Sequence, residues 1–432
     1  MNIPTLYQLF LQCPIVTTDS RSCPEGSIFI ALKGENFNGN AFAAQALKDG
    51  CEYAVVDEAE YADSNNKQII LVDDCLKTLQ ELAKYHRRQL GTKVIGITGT
   101  NGKTTTKELI AAVLSQAHNV LYTQGNLNNH IGVPLTLLKL NAHHDMAVIE
   151  MGANHPGEIK TLVNIAEPDY GIITNVGKAH LEGFGTLEGV IKTKGELYDF
   201  LRQREDSTIF VQNENAYLMD MAYGLNLIPY GAEESLYVNG KITSSNPYLA
   251  FEWKAGKGGA LHHVDTKLIG EYNFDNVLAA VAIGRFFGVE PEKIDKALTE
   301  YTPKNNRSQF KETENNKLII DAYNANPTSM MAALRNFRKM EAKHKMVILG
   351  DMRELGENSV EEHQKIVDFL KLCKFERVIL IGDQFAETEQ TYEIYANVIE
   401  TIKVINQEQP KGFYILIKGS NGMKLGQIVE HL

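Results

Sequence analysis

At 432 residues and 44% hydrophobic, the chain is long enough for two to four domains with full cores, and its net charge of −11 excludes a general nucleic-acid binder, whose footprint is basic. Its cysteines (Cys13, Cys23, Cys51, Cys75 and Cys373) include no Cys-x-x-Cys pair, which argues against a zinc site or disulfide framework and fits a reducing compartment. No apolar run of about 18 residues is present to span a membrane, and the N-terminus lacks the basic start of a signal peptide, so a soluble cytoplasmic protein without membrane insertion is expected.

Residues 1–90 read as a small α/β unit. Short apolar runs (Ser27–Leu32, Tyr53–Val56, Ile69–Val72) predict strands, and Ala41–Asp49 and Leu76–Gln89 predict helices. Two turn-rich stretches flank the first strand, T-D-S-R-S-C-P-E-G at 18–26 and A-L-K-G-E-N-F-N-G-N at 31–40. Gly34 and Gly39 suit close backbone approach to a ligand. Arg21 and Lys33 could hold an anion such as a diphosphate. A solvated loop with ordinary charges accounts for the same residues.

Residues 91–303 are built around V-I-G-I-T-G-T-N-G-K-T-T-T at 94–106. Apolar β-branched residues predict a buried strand, Gly99 to Gly102 a tight turn, and Thr104 to Ala117 a helix. Such a strand, loop and helix cradle phosphate: backbone N–H groups approach its oxygens, Lys103 reaches the β and γ phosphates, and the Thr104 hydroxyl can bind Mg²⁺. Ile97 stands where the usual loop has its first glycine, so the loop is a variant. M-A-V-I-E-M-G at 146–152 places Glu150 at the carboxyl end of a buried strand, a position suited to nucleotide-bound Mg²⁺. Strand Tyr170–Thr174 leads to His180 and Glu182 at the same sheet edge. His180 there could ligate a metal or serve the structure. Lys194, on a helix from Leu187, reads by default as a surface lysine. Leu225–Ile228 predicts a strand stopped by Pro229, and 236–269 alternates like antiparallel hairpins. Asn273 and Asn276 lie one turn apart at a helix start, where they could read a base edge or cap the helix.

Residues 304–432 return to β/α alternation and predict a mostly parallel, doubly wound sheet. Asp321, Asp351 and Lys418 fall at strand carboxyl ends, where open α/β sheets bind ligands.

Several motifs resemble one family. G-T-N-G-K-T-T (99–105), E-M-G-A-N-H-P-G-E-I (150–159) and N-V-G-K-A-H-L-E-G-F-G (175–185) are similar to the ATP-dependent Mur ligases of peptidoglycan synthesis. D-S-R (19–21), P-E-G-S-I-F-I-A-L-K-G-E-N-F-N-G (24–39), Y-N-A-N-P-T-S-M (323–330), L-G-D-M-R-E-L-G (349–356) and K-G-S-N-G-M (418–423) match the branch that uses UDP-N-acetylmuramoyl-tripeptide and D-alanyl-D-alanine.

The resemblance implies three domains: a small α/β domain, a central P-loop ATPase-like domain and a Rossmann-like C-terminal domain that holds the incoming dipeptide. It implies that Ser20, Arg21, Lys33 and Gly39 hold the UDP end of the first substrate. Gly99, Thr100, Asn101, Gly102, Lys103, Thr104 and Thr105 would bind ATP, with Asn273 and Asn276 on the adenine side. Arg307 stands at the entrance to the last domain, and Asp321, Asn324 and Asn326 lie over the ATP. Thr104, Glu150 and His180 match magnesium positions. Lys194 matches a lysine that is carbamylated in these ligases, so the chemistry is expected at Lys103, Glu150, His180 and Lys194. The expected enzyme is a monomeric, ADP-forming amide ligase. Another amino-acid ligase of the superfamily, such as a folylpolyglutamate synthase, a non-catalytic nucleotide-binding module and a generic P-loop kinase are the rival readings. The chain departs from the family pattern at Tyr272, Ile320 and Asn40, where His, an acid and His are usual.

Overall fold

The computed structural model describes residues 1–63, 65–304 and 307–432. Its three main sheets follow one another along the chain. In the first, strands Val16–Thr17, Ile28–Ile30, Tyr53–Val56 and Ile69–Leu71 lie side by side and parallel. The second turn-rich stretch folds into a small antiparallel ribbon, Lys33–Gly34 against Phe37–Asn38. Helix Cys75–Leu90 closes this unit. Asp74 caps its start by accepting from Lys77 N, and Gly91, at φ 66°, ends it in the left-handed conformation.

The central sheet has nine strands. Lys93–Thr98 lies between Met146–Glu150 and Tyr170–Ile173. From it the chain builds outward to Val120–Tyr122 on one side and to Thr208–Gln212, Leu227–Gly231 and Val238–Ser245 on the other. All these pairs are parallel, which makes Lys93–Thr98 the switch point of the sheet. Tyr248–Lys254 and His262–Ile269 then add antiparallel hairpins, as the alternation predicts. Pro229 does not stop its strand but sits within Leu227–Gly231, opposite Val211. The next strand pairs only with Tyr230 and Gly231. At Pro229 the strand therefore has a single neighbour, and its missing N–H costs no ladder bond on the open side.

The third sheet runs Gln309–Glu312, Lys317–Asp321, Tyr414–Lys418, Lys345–Gly350, Arg377–Ile381 and Glu393–Tyr395. Only its first pair is antiparallel. Alternate residues of these strands enter two separate cores: Ile319, Val347, Leu349 and Leu416 on one face, and Leu318, Ile348, Ile379 and Ile417 on the other. Both faces are covered by helices, which explains continuous apolar runs in place of strict alternation. The central sheet is covered likewise, and one of its two cores is continuous with that of the first unit. His86 and Arg87 bridge the same junction. His86 Nε2 lies 2.9 Å from Leu140 O, and Arg87 donates to Glu167 O and Asp169 Oδ2 at 2.7 and 2.8 Å.

Candidate functional site

The carboxyl ends of the central and third sheets face each other across a cavity of about 780 Å³. Its floor is the loop Gly99–Gly102. A side chain at Gly99, φ 142°, would meet Thr174 Oγ1 at 2.0 Å, and one at Gly102, φ 78°, would meet Asn276 Oδ1 at 2.7 Å. Both positions thus require glycine for space as well as conformation. Helix Lys103–Leu114 begins directly behind the loop, one residue earlier than expected, and no side chain caps its N-terminus. Its first amides are left to a ligand, with the helix dipole behind them. Lys103 Nζ donates to Gly99 O and Thr100 O at 2.8 and 3.1 Å, and burial holds it below the usual lysine range.

Register brings the acid to the loop, because Glu150 pairs with Ile97 at the end of the central strand. Glu150 Oε1 accepts from Thr104 Oγ1 at 3.1 Å and Asn128 Nδ2 at 2.9 Å. Its Oε2 is buried with no hydrogen-bond partner. A solvent-excluded carboxylate oxygen without a donor, beside a threonine hydroxyl, fits a hard cation such as Mg²⁺.

His180 adopts a left-handed backbone, φ 50°, and its Nδ1 meets the carboxylate of Glu354 from the third unit. That contact holds the Glu354 carboxyl below its usual range. Lys194 is not the surface lysine its helix suggests. It is 2% exposed, with Nζ 3.4 Å from Ala153 O and 5.2 Å above the Phe184 ring. Burial, and then the charge of Lys103, pull it down to about 7. Sequence periodicity misses this because the helix is covered on that side by the 150–158 segment, which is distant along the chain.

Asn273 and Asn276 do not cap their helix. Asn273 Nδ2 donates to Ile269 O, and Asn276 links Asn273 Oδ1 to Thr106 Oγ1 on the phosphate-loop helix. Both also line the cavity. Tyr272, in place of the usual His, joins Ser308 by its hydroxyl at 2.8 Å, and burial raises its phenol.

From the third unit, Arg307 stacks on Tyr323 at 3.7 Å, and Asp321 accepts from Lys418 Nζ at 2.6 Å. Lys418 also reaches Asn324 O. Asn326 caps helix Pro327–Lys339 through a reciprocal capping box with Ser329, and its Nδ2 donates to Asn101 Oδ1 at 2.8 Å. Asp351 is a correction among the strand-end residues. It is buried, accepting from Gln384 N and Phe385 N, and so serves the start of helix Asp383–Ala386.

Ser20, Arg21, Lys33 and Gly39 do not line this cavity. Arg21 pairs with Asp19 at 2.9 Å, and Lys33 with Asp57 and Glu58 at 3.1 Å. Gly39 is needed for packing, since a Cβ there would lie 2.5 Å from Leu32 O. Three residues at the site escape sequence reasoning: Asn128, Lys107 and Glu354. Lys107 left a signal in its place one turn beyond Lys103 on the same helix face, and Glu354 in its place within the motif at 349–356.

Two relatives that align over nearly the whole chain carry the same name. The UDP-N-acetylmuramoyl-tripeptide--D-alanyl-D-alanine ligase of Bacillus subtilis is 36% identical over 429 residues, covering 96% of this chain and 92% of that one. The enzyme of the same name from Escherichia coli is 35% identical, covering 96% and 93%. The chain belongs to the Mur ligase family. Its three family domains fall in order: Mur ligase family, catalytic domain, at 13–87; Mur ligase middle domain at 97–284; and Mur ligase, glutamate ligase domain, at 306–421. This Mur ligase also superposes on MurF from Acinetobacter baumannii (TM-score 0.87, 29% identity, 99% of this chain and 98% of that one). The MurF ligase from Thermotoga maritima, solved in complex with ADP, gives a TM-score of 0.86 at 26% identity and covers 98% and 97%.

Proposed function

We propose that this Mur ligase is an ATP-dependent, ADP-forming enzyme that joins D-alanyl-D-alanine to UDP-N-acetylmuramoyl-tripeptide, as a monomer in cytoplasmic peptidoglycan precursor synthesis. One observation supports it most: the chain aligns over nearly its full length with relatives of that name.

The reaction must activate a carboxylate, a poor electrophile at neutral pH. The γ-phosphoryl of ATP passes to the tripeptide carboxylate, giving an acyl phosphate and ADP. Loop amides from Gly99 to Thr105 hold the phosphates, and Lys103 leaves its loop carbonyls to follow charge onto the transferring oxygens. Thr104 and Glu150 would hold Mg²⁺, with His180 offering only the ring nitrogen that Glu354 does not engage. When bound, the ion supplies charge neutralisation on the phosphoryl oxygens. The dipeptide amine then attacks the acyl carbon, and the tetrahedral adduct expels phosphate to leave the amide. Asn273 and Asn276 orient the adenine side. Arg307, Asp321, Asn324 and Asn326 cover the nucleotide and keep water from the acyl phosphate.

Lys194 suits carbamylation. An amine lowered to about 7 is partly free base at neutrality. It can add CO₂ and release a proton, which converts a buried cation into an anion. In the first unit, Ser20, Arg21 and Lys33 take the UDP end, with the diphosphate replacing the acidic partners of Arg21 and Lys33.

Coupled ADP release tests the reading. Turnover is expected only when UDP-N-acetylmuramoyl-tripeptide and D-alanyl-D-alanine are both present. Turnover with single D-alanine, or with a different acceptor, would move the enzyme to a sibling ligase.

A further inference from the structure

The inner face of the phosphate-loop helix carries a second lysine. Lys107 is 1% exposed. Its Nζ donates to Thr123 O at 2.7 Å and stands 3.8 Å from both Glu150 Oε2 and Glu108 Oε1. The Tyr122 ring faces it at 5.7 Å. Burial pulls the Lys107 ammonium below the usual lysine range, and the two carboxylates oppose that shift, with the ring face on their side. Thr123 completes the link, because its Oγ1 accepts from Glu150 N at 3.0 Å. Lys107 therefore braces the turn against Glu150 and offsets its charge. Among the described residues it is the only ammonium within 4 Å of that carboxylate.

This pairing bears on when a cation binds. A carboxylate compensated by an adjacent ammonium is a weak trap for a free dication. Among the described residues, no group of three His, Cys, Asp or Glu side chains gathers to hold a metal alone. Phosphate oxygens of a nucleotide would supply the missing donors and the missing negative charge. We propose that Lys107 is a positioning residue that makes divalent-cation binding at Glu150 conditional on nucleotide. An uncompensated Glu150 would collect free metal and meet ATP with the site already filled.

The inference rests on the ATP-dependent reading, which calorimetric ADP binding by the wild-type chain tests separately. The experiment is an Mn²⁺ titration of the full chain, followed by the electron paramagnetic resonance of free Mn²⁺, with and without ADP. Wild type and Lys107→Arg are expected to bind Mn²⁺ saturably only with ADP. Lys107→Met is expected to bind it without nucleotide, about tenfold or more tightly than wild type, and adding Glu150→Gln should remove that gain. A purely structural role would lower the melting temperature of Lys107→Met and leave its metal affinity unchanged. A folded Lys107→Met with no gain overturns the proposal. So does saturable Mn²⁺ binding by nucleotide-free wild type that Glu150→Gln abolishes. Should Lys107→Met not fold, Lys107→Gln is read in its place, and the wild-type titrations decide if neither folds: Mn²⁺ binding that needs ADP and exceeds that of ADP alone supports the proposal, and nucleotide-free binding that Glu150→Gln abolishes overturns it.

Discussion

At the residue scale, this protein's chemistry depends on charged side chains withdrawn from water. Glu150, Lys107 and Lys194 are each at most 2% exposed. Buried charges persist only where partners or altered protonation compensate them. Glu150 has Thr104, Asn128 and Lys107, whereas Lys194 touches a carbonyl and a ring, with Glu158 and Glu196 acting on it through charge without contact. We predict that Lys194 resolves this as a carbamate. In ¹³C-bicarbonate the protein should show a carbamate carbon resonance that Lys194→Ala lacks, and the variant should lose turnover. A wild-type spectrum without that resonance would sink the idea. Gly39 illustrates the opposite case, a residue in a predicted binding motif that its own backbone requires. Gly39→Ala should destabilise the fold by about 1–3 kcal/mol through the clash with Leu32 O, read as a lower denaturant midpoint. A stability unchanged from wild type would mean the loop yields freely.

At the element scale, two helices couple the units. Helix Cys75–Leu90 carries His86, whose ring lies between Tyr7 OH at 3.2 Å and Leu140 O at 2.9 Å. Burial holds its pKa below the ordinary 6.5. As pH falls through that value the unfolded chain takes up the proton first, so stability declines with acid and is level above it. The denaturant midpoint of wild type should therefore drop more between pH 8 and pH 5 than that of His86→Gln. Parallel profiles would exclude this contribution. Helix Pro327–Lys339 begins at Asn326, which caps it and also touches Asn101 of the phosphate loop. Asn326→Ala should cost about 1 kcal/mol from the cap alone. A loss well above that would measure the coupling to the loop.

At the scale of the whole molecule, the third unit stands against the central one through Asn326–Asn101, Glu354–His180 and Glu362–Lys178, the last at 2.9 Å. Lys339 adds a pair with Glu271 at 2.7 Å, and apolar contacts join them, with Ile269 in the core of the third unit and the Tyr248 ring against Phe310; the polar share of such a junction permits domain motion. ATP analogue and nucleotide-sugar peptide should bind on both sides of the cavity and tighten it. We expect the radius of gyration from small-angle scattering to fall when both are added. Equal scattering with and without the two ligands would count against a closing third unit.

Much of this architecture is legible in the chain itself. Apolar β-branched runs and glycine positions mark the phosphate loop, because strand burial and tight turns restrict which residues can occur there. The acid at 150 and the β/α alternation follow from equally local rules. Pro229 within a strand, the internal use of Asp351 and the burial of Lys194 do not. Each depends on which neighbour covers a side chain, and those neighbours lie far along the sequence. Lys107 makes the same point: helical spacing puts it beneath the loop, but only the sheet register that delivers Glu150 and Thr123 beside it decides what its charge does. Local sequence determined the elements and their order, while long-range packing, which sets solvent access and charge partners, decided the chemistry available to the residues they carry.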